Sequence, residues 1–110
     1  MIEQIEWHRQ LIPSPEGNII FGAGKGIIGD ESRDMVSVYG DPAGLRWLAK
    51  VLQAIADLDQ RRIPDENLPP HEGFHTHLRP ESECRAMSQE VIVGRLDAKA
   101  DGSFAWFLPP

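Results

Sequence analysis

A chain of 110 residues with 41% apolar side chains is the length of one ordinary domain and can build a core without disulfides or metal. Its 17 acidic and 11 basic residues leave a formal charge of -6, spread along the chain, which argues against nucleic acid and anionic membrane surfaces and in favour of a basic partner. Cys84 is the only cysteine, so no intrachain disulfide can form, and the expected location is cytoplasmic.

Taken in chain order, Ile2 to Ile12 alternates Ile5, Trp7, Arg9 and Leu11 with Gln4, Glu6, His8 and Gln10, the pattern of a half-buried strand that Pro13 and Pro15 end. Its charged residues do not suit a signal peptide, and no run of ~18 apolar residues suggests a membrane span. Asn18 to Phe21 is a short apolar strand entering a mobile turn at Gly22, Gly24, Gly26 and Gly29. That run does not suit a phosphate-binding loop, because Ile19 stands where the first glycine belongs and Gly26 follows Lys25. Met35 to Tyr39 forms a third strand, with Val36 and Val38 on one face and Met35, Ser37 and Tyr39 on the other.

The clearest element is a helix from Pro42 to Leu58. Asp41 is placed to cap it, and Pro42 sits where its missing amide hydrogen costs nothing. Leu45, Leu48, Leu52 and Ile55 follow the spacing of one buried face, flanked by Val51 and Leu58. Asp59 to Glu72, with three prolines, reads as a surface loop. Strands follow at Phe74–Arg79, Glu90–Leu96 and Ser103–Leu108, with Asp101-Gly102 as a turn signal between the last two. The expected fold is a single α+β domain over residues 1–110: a five- to six-stranded, mainly antiparallel sheet with one amphipathic helix on one face.

Three of the four histidines crowd into His71-Glu72-Gly73-Phe74-His75-Thr76-His77. On a strand, Phe74, Thr76 and Leu78 face the core while His75, His77 and Arg79 face outward. That face is a solvated surface, a partner-binding surface or, with His71, His75 and His77 as ligands, a metal site. Ligand number counts against metal, since the fourth histidine, His8, lies far away in the sequence. No cofactor is expected. His75-Thr76-His77 followed by Glu81 is half of a cupin-like metal motif without its later glycine or second half. A small metal-dependent cupin-like enzyme is therefore the runner-up. Carboxylates around Cys84 disfavour its thiolate, and no serine sits in a nucleophile turn.

Tyr39-Gly40-Asp41-Pro42-Ala43-Gly44-Leu45-Arg46-Trp47-Leu48-Ala49, the His75-Thr76-His77-Leu78 strand and Ser88-Gln89-Glu90-Val91-Ile92-Val93 together resemble a family of small bacterial immunity proteins that accompany polymorphic toxin systems. The resemblance covers roughly residues 35–96. It implies a non-enzymatic protein that neutralises a cognate toxin by direct contact, and it carries no catalytic residue. The contact residues expected from strand alternation and the flanking loops are Glu72, His75, His77, Arg79, Glu81 and Glu83. A homo-oligomer stays open, because sheet edges pair readily.

Overall fold

The computed structural model describes residues 12–28 and 31–103. The expected strands at Ile2–Ile12 and Ser103–Leu108 lie almost wholly outside them. The described elements are β1 (Ile19–Ile28), β2 (Glu31–Gly40), helix α1 (Pro42–Asp57), a 3-10 turn at Gln60–Arg62, β3 (His75–Leu78) and β4 (Val91–Gly94). The α+β class holds. The single sheet of five or six strands does not: the described strands form two separate two-stranded sheets, antiparallel β1-β2 and β3-β4. Alternation finds strands but says nothing about which of them share a sheet, since it records only a strand's two faces.

The chain divides into two compact units. A hairpin unit contains residues 15–48 and 77–91; a loop unit contains 49–76 and 92–103, with 12–14. Helix α1 contributes its first half to the hairpin unit and its second half to the loop unit.

In the hairpin unit, Gly22, Gly24 and Gly26 belong to the strand rather than to a mobile turn, and Gly29 lies outside the described residues. β1 pairs with β2 from Ile19↔Gly40 to Ile28↔Glu31 without interruption. The glycines are used for cross-strand space: a Cβ on Gly22 would come within 2.7 Å of the Ser37 hydroxyl, and one on Gly26 would overlap the Met35 thioether. Ile19 and Phe21 are buried, whereas Val36 is 78% and Tyr39 72% exposed, so among the described hairpin side chains those at the start of β1 join the core.

Helix α1 begins where its capping residues require. The Gly44 amide donates to Asp41 Oδ1 at 2.7 Å, which satisfies a free donor of the first turn. The buried stripe is Gly44, Trp47, Val51 and Ile55; Leu45 and Leu52, expected inside, are 47% exposed. The difference is a rotation by about one residue. Gly44 lets the first turn lie directly on the backbone of Asn18, where any Cβ would collide with the Asn18 carbonyl, and this contact turns Trp47 inward.

In the loop unit, Asp59–Glu72 is pinned by Gln60, Ile63 and Leu68, all buried, rather than lying wholly on the surface. The Gln60 side chain accepts from the Phe74 amide at 2.6 Å and donates to the Asp97 carbonyl at 3.0 Å. Lys99 is buried with its ammonium donating to the Ile63 and Leu68 carbonyls, 2.7 and 2.8 Å away, and to Asp65. Arg95 donates to the carbonyls of Ile55 and Leu58 at 3.0 and 2.9 Å, closing the end of α1 with a positive charge where the helix dipole favours one. The expected turn at Asp101-Gly102 forms: the Gly102 amide donates to the Ala98 carbonyl at 2.9 Å, and Gly102 adopts a φ of 75°.

Candidate partner-binding site

Strand β3 alternates as its residue types dictate. Phe74, Thr76 and Leu78 are buried; His75 and Arg79 are exposed and His77 is half-buried. Within the hairpin unit, His77 Nδ1 lies 2.7 Å from Glu90 Oε2, so His77 presents a ring already oriented by a carboxylate. Glu90 was not among the residues singled out by alternation. Its position at the entry of β4, opposite β3, could be anticipated only from the pairing of the two strands.

Beyond β3 the chain turns back on itself. The Ser82 and Cys84 amides both donate to the Arg79 carbonyl, at 3.3 and 3.1 Å, and Pro80 bridges to Cys84. Glu81 takes a φ of 62°, the left-handed region that a residue with a side chain occupies only where its surroundings hold it there. The turn leaves Glu81 exposed and Glu83 half-buried.

The segment after the turn is fastened to the start of β1. Arg85 donates its amide to the Ile19 carbonyl at 3.0 Å, Gln89 to the Phe21 carbonyl at 2.8 Å, and the Phe21 amide to the Ser88 hydroxyl at 2.8 Å. Between turn and strand lies an open cleft of about 380 Å3, lined by Gly17, Asn18 and Ile19 on one side and by Glu81, Glu83 and Met87 on the other. Met87, 75% exposed, stands at its rim. Burial pushes the Cys84 thiol above its usual pKa and Glu83 adds to the effect, although the Ser88 hydroxyl opposes it. Burial, more than the neighbouring carboxylates on which the sequence reading relied, thus disfavours the Cys84 thiolate.

Asn18 is held to the helix start by a cluster that sequence reading missed. Asp41 accepts from the Asn18 amide at 3.0 Å, the Asn18 side-chain amide at 2.7 Å and the Gly44 amide. These bonds, the Asn18 backbone donation first, hold the Asp41 carboxyl below its ordinary pKa. Arg85 Nη1 in turn donates to Asn18 Oδ1 at 3.1 Å. Gly17, with a φ of 67°, and Gly44 make the close approach possible.

Of the six expected contact residues, His77, Arg79, Glu81 and Glu83 thus belong to the hairpin unit, while Glu72 and His75 belong to the loop unit. Glu72 is half-buried, with a carboxylate oxygen 3.7 Å from His71 Nε2. Among the described residues no three His, Cys, Asp or Glu side chains converge as metal ligands would. No helix among the described residues is long and apolar enough to cross a membrane.

The family model described as Immunity protein 32 matches residues 36–96, more than half of the chain. The chain belongs to the Immunity protein 32 family. No curated protein and no solved structure matches it. All three stretches on which the immunity-protein resemblance rests fall within the matched span. So do Gly40, Asp41 and Gly44, which fit the helix start onto Asn18, and the whole Arg79–Met87 turn. As an immunity protein, the chain has a toxin as its partner in general terms.

Proposed function

We propose that this member of the Immunity protein 32 family neutralises its cognate toxin by direct, non-enzymatic contact. Family membership is the observation that carries this reading. The contact is centred on the turn beside the cleft, where Glu81 and Glu83 line a recess, Met87 adds apolar area at its rim and the exposed Arg79 precedes the turn. His77, held by Glu90, extends the outward side of the preceding strand. A concave surface with an apolar rim and charges at its edge is suited to receive a protruding basic side chain of a partner. The backbone bonds donated to the Arg79, Ile19 and Phe21 carbonyls fix the turn before a partner arrives, which lowers the ordering cost of binding.

Growth rescue on co-expression with its cognate toxin provides the test. Wild type restores growth, and a Glu81→Lys, Glu83→Lys double variant with an unchanged far-UV spectrum does not. Full rescue by that variant, and by His77→Ala, would remove the surface from the account. Failure of wild type to rescue would remove the neutralisation itself.

A further inference from the structure

We propose that the segment Phe104–Leu108, which lies outside the described residues, adds to the outer edge of β4 as a third, antiparallel strand of the β3-β4 sheet. The direction of the backbone groups along Ile92–Ala98 identifies the edge. In an antiparallel ladder, successive residues turn both their backbone groups alternately toward one neighbour and away from it. The Arg95 amide donates to the Phe74 carbonyl at 2.8 Å, the Asp97 carbonyl accepts from the Gln60 side chain at 3.0 Å, and the Lys99 amide donates to the Glu72 carbonyl at 2.9 Å. These odd-numbered residues face β3 and the loop before it. Ala98 faces the other way: its amide donates to the Ser103 carbonyl at 2.6 Å, and its carbonyl accepts from the Gly102 amide at 2.9 Å. By that alternation Gly94 and Leu96 aim their amides and carbonyls to the same outer side, and among the described residues no backbone group bonds to Leu96.

The turn selects the occupant. Lys99–Gly102 reverses the chain, with Gly102 at a φ of 75°, and seats Ser103 opposite Ala98, so the residues after Ser103 are delivered to this edge in the antiparallel sense. Counting onward from that pair sets Phe104 opposite Asp97, Ala105 opposite Leu96, Trp106 opposite Arg95, Phe107 opposite Gly94 and Leu108 opposite Val93. Val93, Arg95 and Asp97 are half-buried, whereas Gly94 and Leu96 are exposed. The register therefore assigns Phe104, Trp106 and Leu108 to the buried side of the sheet, where large apolar side chains at alternate positions gain most. Ala105, the smallest of the five, and Phe107, beside a glycine, take the outer side. Pro109 falls opposite Ile92 without an amide hydrogen to donate, which ends the ladder. Being tethered by a short turn, the segment meets the edge at an effective concentration of the order of millimolar, well above that of a second copy or a toxin strand in solution. Ile92 and Leu96, 62% and 50% exposed, make this an apolar edge, the kind that aggregates when left bare.

Nuclear magnetic resonance of the full isotopically labelled chain tests the docking. Antiparallel partners that do not share hydrogen bonds bring their Cα atoms to ~4.5 Å, so Hα–Hα contacts are expected between Arg95 and Trp106 and between Asp97 and Phe104, and they should persist on dilution. In a mixture of labelled and unlabelled chains they should stay within one chain. Contacts found only between chains would assign the strand to a second copy and overturn the proposal. So would the absence of both contacts, or a register shifted by one residue, which would turn Trp106 outward. Amide exchange reads the same pairing independently. Ala105→Pro removes the donor to the Leu96 carbonyl and should speed exchange of the Gly94 and Leu96 amides by at least about tenfold, with the Arg95 amide, bonded to Phe74, unchanged. Unaltered Gly94 and Leu96 rates in the folded variant would also overturn the proposal, and if that variant does not fold the wild-type contacts decide.

Discussion

Gly44 sits inside a helix, where alanine is ordinarily better by about 1 kcal/mol. Here the opposite sign is expected. A methyl group at this position has the Asn18 carbonyl in its way, and displacing that backbone also disturbs the bonds from Asn18 to Asp41. Gly44→Ala should lower stability by about 1–3 kcal/mol in urea denaturation, the usual range for overpacking a tight contact; stabilisation would show that α1 does not rest on Asn18. Asp41 makes a related prediction in pH. Its folded pKa is depressed by its hydrogen bonds, as are those of Asp97, beside the Arg95 guanidinium, and Asp101, which accepts the Ser103 amide. A depressed carboxyl stabilises the fold above its unfolded pKa of ~3.9 and loses that contribution as pH falls through its folded value. Thermal stability should therefore be level above pH ~5 and decline below ~4, and Asp41→Asn should have a lower Tm at neutral pH with a shallower acid decline. The capping role of Asp41 was legible from its place before Pro42. Its bonds to Asn18 were not, because 23 residues separate the two and no local period connects them.

Helix α1 shows how a correct element can be read with the wrong face inward. Its three-and-four spacing marks a helix, and the predicted end at Leu58 is one residue from the observed Asp57. Two stripes fit that spacing, however, and the leucines alone do not decide between them. The contact of Gly44 with Asn18 decides, and Trp47, Val51 and Ile55 are the buried set. Trp47→Ala should cost about 3–5 kcal/mol, a large share of a small domain's stability, whereas Leu52→Gln should change the melting temperature little. Equal losses from the two would restore the leucine face. The alternation in Phe74–Arg79 was read in the correct phase, because a strand has only two faces and the apolar residues occupy one. The glycine run was misread for a complementary reason: glycine signals a turn by local conformational freedom, but Gly22 and Gly26 are used for the space they leave beside Ser37 and Met35 across the hairpin.

At the scale of the whole molecule, an acidic chain of the Immunity protein 32 family presents a preformed turn bearing Arg79, Glu81 and Glu83 beside an open cleft. The sequence pointed to the region through its histidine cluster, and the outward phase of β3 followed from alternation. The cleft was not foreseeable, since it arises from backbone bonds between Arg85–Gln89 and Ile19–Phe21, segments far apart in the chain. Long-range attraction between carboxylates and a basic partner is screened by salt, so association should slow as ionic strength rises while dissociation changes less. The most direct measurement of the central claim is a calorimetric titration of the purified chain into its catalytically inactivated toxin, for wild type and for the Glu81→Lys, Glu83→Lys variant. The account predicts a saturable complex for wild type and a Kd raised by roughly 30-fold or more in the folded variant, the loss of about 2 kcal/mol expected of a central contact. No heat of binding with wild type, or an unchanged Kd in the variant, would contradict it.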